Sequence, residues 1–140
     1  MILPEGFQIH PTAPDINDYL RLRDIAGLSP FTSSAAEVGL AGTYFGVSIL
    51  FEETIVGMGR IVGDGGLFFQ IVDIAVDPDY QGRGLGFSVM SALMGYLKKY
   101  APPSAHVSLL ADVPANKLYE KFGFATTAPQ SIGMATRIEH

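Results

Sequence analysis

The spacing of apolar residues along the chain switches between strand and helix periods, and glycine or proline marks most of the switches. Phe7 and Ile9 before His10-Pro11 suggest a short first strand. Thr12, with Asp15 three residues on, reads as a capping box opening a helix whose one face carries Ile16, Tyr19, Leu20 and Arg23. Gly27 ends that helix and Pro30 prevents its continuation. A second short helix is expected from near Ser34, with Glu37 as capping partner, to Gly39 or Gly42. Tyr44 to Phe51 and Ile55 to Val62 are β-branched and aromatic, so they read as hairpin strands around the corner Glu52-Glu53-Thr54. Asp64-Gly65 suits a two-residue type I′ loop, after which Leu67 to Val76 completes an antiparallel meander.

Asp77-Pro78-Asp79 stops that strand, and Gln81-Gly82-Arg83-Gly84-Leu85-Gly86 leads into a helix with Val89, Met90, Leu93, Met94 and Leu97 on one face. Lys98 and Lys99 complement the dipole at its end, and Pro102-Pro103 breaks it. His106 to Leu110 is the expected fifth strand, made parallel to its predecessor by the crossover helix. Asp112-Val113-Pro114 starts a last helix with Leu118 and Phe122 buried and Gly123 at its end; Phe124 then begins closing strands that run through Ile132 to Ile138. The expected fold class is α/β of the α+β type: one domain over 1–140, with a central mixed, mostly antiparallel sheet flanked by about four helices.

Composition narrows the chemistry. The chain has 140 residues, enough for one well-buried core, and no cysteine, which excludes disulfides, thiolate metal sites and a cysteine nucleophile. Three scattered histidines suggest no metal site. Met1 to Glu5 lacks the pattern of a signal peptide, and the longest uncharged runs are too short to span a membrane, so a cytoplasmic protein with no membrane partner is expected. A net charge of −5 argues against a nucleic-acid partner.

Three alternate glycines before a helix exceed what a sharp strand-to-helix corner needs. They let a ligand approach the backbone, where the first helical N–H groups lack intrahelical partners and the dipole favours an anion. The dinucleotide fingerprint fails here, because the sixth position is Phe87 counted from Gly82 and Val89 counted from Gly84; the phosphate-binding lysine loop is absent as well. What remains is Gln-x-x-Gly-x-Gly after Ala75-Val76-Asp77-Pro78, and a second block at Ala115-Asn116-Lys117-Leu118-Tyr119-Glu120-Lys121-Phe122-Gly123-Phe124. Through these two blocks the chain resembles the GNAT superfamily of acetyl-CoA-dependent N-acetyltransferases, from about Ile55 to Phe124.

The resemblance implies acetyl-CoA as cosubstrate and no metal. It assigns cofactor contacts to Ile74, Ala75 and Val76, whose strand would pair with the pantetheine and polarise the thioester, to Gln81, Gly82, Arg83, Gly84, Leu85, Gly86 and Phe87, and to Asn116 and Tyr119. In an acidic chain the phosphates need local donors, namely these amides with Arg83 and Lys117 or Lys121. Asn116 and Tyr119 share a helix face; spacing alone leaves Tyr119 even between packing and proton donation, and the family favours the acid. The leaving thiolate has a solution pKa of about 8.5 and tyrosine about 10, which suits that transfer.

The attacking amine needs help of the opposite kind, since an amine of pKa near 10.4 is only about 0.04% neutral at pH 7. Asp73, the one carboxylate inside an apolar strand, is the candidate base or amine anchor, with a structural ion pair as the alternative. A two-residue loop would set Arg60 opposite Phe69, roughly 13 Å along the sheet from Asp73, which disfavours that pair. Family members carrying a glutamate base hold it at the place of Gln70, which cannot accept a proton, so a water relay is the alternative. His106 is read as structural.

The expected activity is therefore acetyl transfer from acetyl-CoA to a primary amine by direct attack, the acceptor being a small molecule or a protein amine. Phe31, Tyr44, Phe45, Phe68 and Phe69 are candidates for an apolar or aromatic acceptor, or for core. A homodimer is left open, and a coenzyme-binding sensor without turnover is the rival reading.

Overall fold

The computed structural model describes residues 3–139. Five strands form one sheet in the order β1-β2-β3-β4-β5: β1 (Phe7–His10), β2 (Phe45–Phe51), β3 (Thr54–Gly63), β4 (Phe68–Val76) and β5 (His106–Ser108). The first four pair antiparallel, and β5 pairs parallel to β4. The helix between those two strands, α3 (Leu85–Tyr100), supplies the crossover that a parallel pair requires.

α3 covers one sheet face. Its stripe of Leu85, Val89, Met90, Leu93 and Leu97 is buried against Val47, Val56, Ile61, Phe69 and Ile71 of the strands. Gly59 admits this close approach: a Cβ there would come within 2.5 Å of Val89 and 2.7 Å of Ile74. Tyr96 fixes the helix laterally by stacking on Phe45 at 3.9 Å between centroids. The opposite face is covered by α1 (Ile16–Ile25) and α2 (Ser33–Ala41), whose Tyr19, Leu22 and Ala36 pack with Met58 and Ala75. The short α4 (Asn116–Glu120) lies beside the start of α3, with Leu118 close enough that a Cβ on Gly86 would meet it at 3.3 Å.

The caps differ from expectation by a few residues. Asp15, not Thr12, caps α1 by accepting from the N–H of Asp18, and Thr32, not Ser34, caps α2 by accepting from the N–H of Ala35. Thr12 instead offers its carbonyl to the Ser48 hydroxyl at 2.7 Å. α4 begins at Asn116 rather than at Asp112, and β5 ends at Ser108 rather than Leu110. The closing strands expected through Ile132 to Ile138 are not formed: residues 125–139 carry neither helix nor strand. Alternation there lacks a paired edge to satisfy its backbone, and the tail is tied down through Arg137, which donates to Ser29 and Pro30.

The largest difference lies in the register of β3 and β4. The turn is longer than two residues, because the Asp64 carboxylate gathers the N–H groups of Gly66, Leu67 and Phe68 and closes the loop from Gly63 to Phe69. Those three bonds hold the Asp64 carboxyl below the ordinary carboxylate range. Pairing therefore sets Arg60 opposite Val72, not Phe69. Between the pairs Met58 with Ala75 and Arg60 with Val72, β4 carries one more residue than β3, a bulge at which Asp73 takes a φ of 61°. Arg60 Nε then donates to Asp73 Oδ2 at 2.8 Å, so the expectation that this pair could not meet is overturned by the register.

Asp73 has further partners. Tyr19 donates its hydroxyl to Oδ2 at 2.9 Å, and Arg23 pairs with Oδ1. The side chain of Asp73 is only 4% exposed and those of both arginines 9%, so removing its charge strands two largely buried guanidinium groups. Asp73→Asn is expected to cost about 3 to 5 kcal/mol and to lower the melting temperature by roughly 10 °C, read by thermal denaturation. A melting temperature within about 2 °C of the parent would show that the network carries little of the fold.

Candidate functional site

β4 and β5 stay paired only from Phe68, Phe69 and Gln70 to His106, Val107 and Ser108. Beyond these residues the strands part, and a cleft of about 280 Å³ opens between Ile71 to Ile74 on one side and Leu109, Leu110 and Asp112 on the other. The bulge at Asp73 turns β4 away from its neighbour where the parting begins.

Past Gln70 the β4 edge away from β3 has no strand partner among the described residues. The N–H of Asp77 bonds Val56 O at 2.8 Å, so strand alternation points the polar groups of Val76 to the opposite side. The Gln81 side chain agrees with this, since its Nε2 donates to Val76 O at 3.2 Å. Gln81 thus ties the start of the glycine turn to the end of β4. Ile74 lines the cleft, Ala75 is buried towards α1, and Val76 is half-buried.

Gly82 and Gly84 adopt φ values of 80° and 78°, the left-handed region that glycine enters without a side-chain penalty. Gly84 is the N-cap of α3 and has no side chain to cap it. The first intrahelical bond is donated by Ser88 to Gly84 O, so the N–H groups of Leu85, Gly86 and Phe87 have no acceptor among the described residues. Orphaned donors, an uncapped dipole and open space at Gly82 fit an anion such as a pyrophosphate. Arg83 is exposed beside this turn, its guanidinium 5.4 Å from the Tyr80 ring centroid and 6.0 Å from that of Phe7.

Tyr119 is brought to the cleft by packing of α4 on the start of α3, through Leu118 against Gly86 and Phe122 against Phe87 at 4.8 Å between centroids. It stands between two cavities. One is the cleft; the other, about 390 Å³, lies between residues 106–113, α4 and the tail at 124–133. Burial, and then the nearby charge of Asp112, push the Tyr119 hydroxyl above its ordinary pKa. Asn116 faces the second cavity, and its amide donates to Glu120 Oε2 at 3.0 Å. Lys117 and Lys121 are exposed, as is His106, which meets Phe68 edge-on.

Of the five aromatic residues weighed as acceptor contacts, Phe69 is core, Tyr44 and Phe45 pack against the core, Phe68 is exposed, and Phe31 lines a cavity beside the cleft. Four residues of the site were missed in the sequence: Tyr19, Arg23, Arg60 and Asp112. Arg23 carried a usable signal, being a charged residue on the apolar face of α1. Among the described residues no three of His, Cys, Asp or Glu are grouped to hold a metal, and no helix is long and apolar enough to cross a membrane.

Comparison with known proteins is consistent along the chain. A probable acetyltransferase of unknown function from meticillin-resistant Staphylococcus aureus is 46% identical, superposes with a TM-score of 0.90, and is covered over 99% of its length by 94% of this chain. A GNAT-family acetyltransferase from Streptococcus pneumoniae shares the fold at a TM-score of 0.76 and 24% identity, covering 95% of this chain and 98% of that one. An uncharacterized N-acetyltransferase of Gracilaria tenuistipitata is 24% identical over 86% of this chain and 67% of its own length. A chloroplastic GCN5-related N-acetyltransferase of Arabidopsis thaliana is 34% identical over 52% of this chain, which spans only 28% of that relative. The family model described as acetyltransferase (GNAT) matches residues 14–124, so this chain belongs to the GNAT acetyltransferase family.

Proposed function

We propose that the chain transfers an acetyl group from acetyl-CoA to a primary amine by direct attack in a ternary complex, without an acyl-enzyme. The observation that carries this reading is the combination of an uncapped glycine turn following β4, a parted pair of strands, and a half-buried tyrosine lining the cleft between them. Acetyl-CoA would supply the activated acetyl thioester. The N–H groups of Gly82 to Phe87 would hold its phosphates, with Arg83 as the nearby cation, and the free edge at Ile74 to Val76 would bind its amide arm. Asn116 is assigned to the same arm, on the far side of the gap.

Tyr119 is the proton donor to the departing thiolate. A donor must be protonated, and a raised pKa keeps Tyr119 so throughout the neutral and mildly alkaline range. Asp73 is assigned to positioning rather than to proton transfer, because its oxygens already accept from Arg23, Arg60 and Tyr19. Asp112, on the cleft wall near Tyr119, is the carboxylate available to attract the ammonium form of the acceptor or to relay its proton through water. The acidic net charge favours a cationic amine over nucleic acid as partner. Exposed Ile132, Met134 and Ile138 on the tail support association with a second copy, which sedimentation at micromolar concentration would detect.

Gly84→Asp places a carboxylate where the anion would sit, in a backbone conformation that costs a side chain about 1 to 2 kcal/mol. The variant is expected to fold and to bind acetyl-CoA at least about tenfold more weakly by calorimetry; unchanged affinity would remove the cradle assignment. Tyr119→Phe is expected to keep acetyl-CoA affinity within a few fold while kcat falls by roughly 10². In the parent enzyme the alkaline limb of kcat assigned to this acid should lie above the ordinary tyrosine value near 10, the direction of the raised pKa. Thiol release across an amine panel, with product mass confirming acetylation, reads both; full kcat in Tyr119→Phe would return the residue to packing.

A further inference from the structure

Three of the nine Lys and Arg residues of this acidic chain converge on one cavity of about 450 Å³ beside the cleft. Arg23 and Arg60 line it together with Tyr19, Phe31 and Asp73. Arg137 reaches its rim from the tail, its guanidinium 4.9 Å from the Phe31 ring centroid, while that of Arg23 lies 4.5 Å from the same ring. Asp73 is the only carboxylate bonded to these guanidinium groups among the described residues, so the cluster holds more positive than negative charge.

The surplus has an opening. Arg23 spends Nε and Nη2 on Ser29 O and Nη1 on Asp73. Arg60 spends Nε on Asp73 and Nη1 on Gly39 O and Thr43 Oγ1, while its Nη2 has no partner among the described residues. Arg60 as a whole is only 7% exposed, yet no fully buried side-chain nitrogen is left unsatisfied. Nη2 must therefore be reachable from outside, and the cavity that Arg60 lines is the approach. A guanidinium held this way, with two N–H groups left without a partner among the described residues, is preorganised for an oxyanion.

This cavity and the cleft share Arg23, Ile71, Val72, Asp73 and Leu110 as walls, so they adjoin. Arg60 lines the cavity, Asp112 and Tyr119 line the cleft, and Arg23 lines both. We infer that the acceptor is an amine that also carries an oxyanion, a carboxylate or a phosphate, bound at Arg60 and Arg23 with its amine beside Asp112 and Tyr119. Phe31 offers its ring to the body of such a molecule. The inference rests on the acetyl-transfer reading for the amine end, while the anion end stands on the arginines themselves.

Matched pairs test it. Phenylalanine against phenylalaninamide reports on a carboxylate, and phosphoethanolamine against ethanolamine on a phosphate. Each compound is offered as acceptor with acetyl-CoA, and its N-acetyl derivative is offered as ligand with coenzyme A, binding being followed by ligand-observed NMR. In at least one pair the anionic member should exceed its neutral twin by about tenfold or more in kcat/KM or in affinity. The pair that responds identifies the anion. That preference should shrink with added salt, and should shrink in Arg60→Gln and in Arg137→Gln, the latter lying outside the core. Preferential binding of anionic derivatives without acetylation of any amine would keep the anion site and reject acetyl transfer. Neutral twins bound and acetylated as well as the anionic members, in both pairs, would overturn the inference.

Discussion

The Asp73 carboxylate is the constraint on which the rest of the architecture depends. It sits at the bulge that gives β4 its extra residue, in a left-handed backbone conformation that costs an ordinary residue about 1 to 2 kcal/mol. Arg60 from β3, with Arg23 and Tyr19 from α1, holds it there and offsets that cost. Burial, followed by the charge of Asp73, raises the Tyr19 pKa, so this phenol remains a donor to the carboxylate at any ordinary pH. One side chain thereby ties β3, the bulged end of β4 and α1 together beside the place where β4 and β5 part.

The groove follows from that parting and from how α3 begins. β4 ends with its outer polar edge turned to the gap; Gln81 captures one carbonyl there and starts the glycine turn, and the turn delivers three unpartnered N–H groups at the head of α3. Gly86 then has a second task. Its missing side chain lets Leu118 approach, which sets α4 against α3 and Tyr119 against the cleft. The glycine turn and the candidate acid are thus coupled through the packing of α4 on the start of α3, and their spacing does not depend on any long loop.

Much of this was legible in the sequence because its signals are local. Strand spans in β2 to β4, the helix face of α3, and the two blocks at 81–86 and 115–124 are properties of adjacent residues. The relation between Arg60 and Asp73 was not, since it depends on loop length. Asp64-Gly65 carries the signal of a two-residue turn, and only the three backbone bonds gathered by the Asp64 carboxylate reveal a longer one. The wider loop moves Arg60 from opposite Phe69 to opposite Val72, and the bulge brings it against Asp73. The tail failed for a related reason: alternation in Ile132 to Ile138 records a capacity to pair, and pairing needs an edge that alternation cannot specify.

The acidity of the chain and the anionic character of the proposed cosubstrate are reconciled by scale. A net charge of −5 acts beyond the surface and is screened within about 10 Å at ordinary ionic strength. Inside the groove the relevant fields come from groups a few ångströms away, and these alternate in sign: helix N-terminus at Gly84, carboxylate at Asp112, guanidinium at Arg60. A uniform positive field would draw in the coenzyme but repel a protonated amine; a uniform negative one would do the reverse. The proposed transfer, from a polyanionic coenzyme to an amine that is cationic in solution, calls for both signs near one another, yet far enough apart not to neutralise each other. The separation is provided by β4, whose end carries the first field, whose parted edge faces the second, and whose bulge anchors the third.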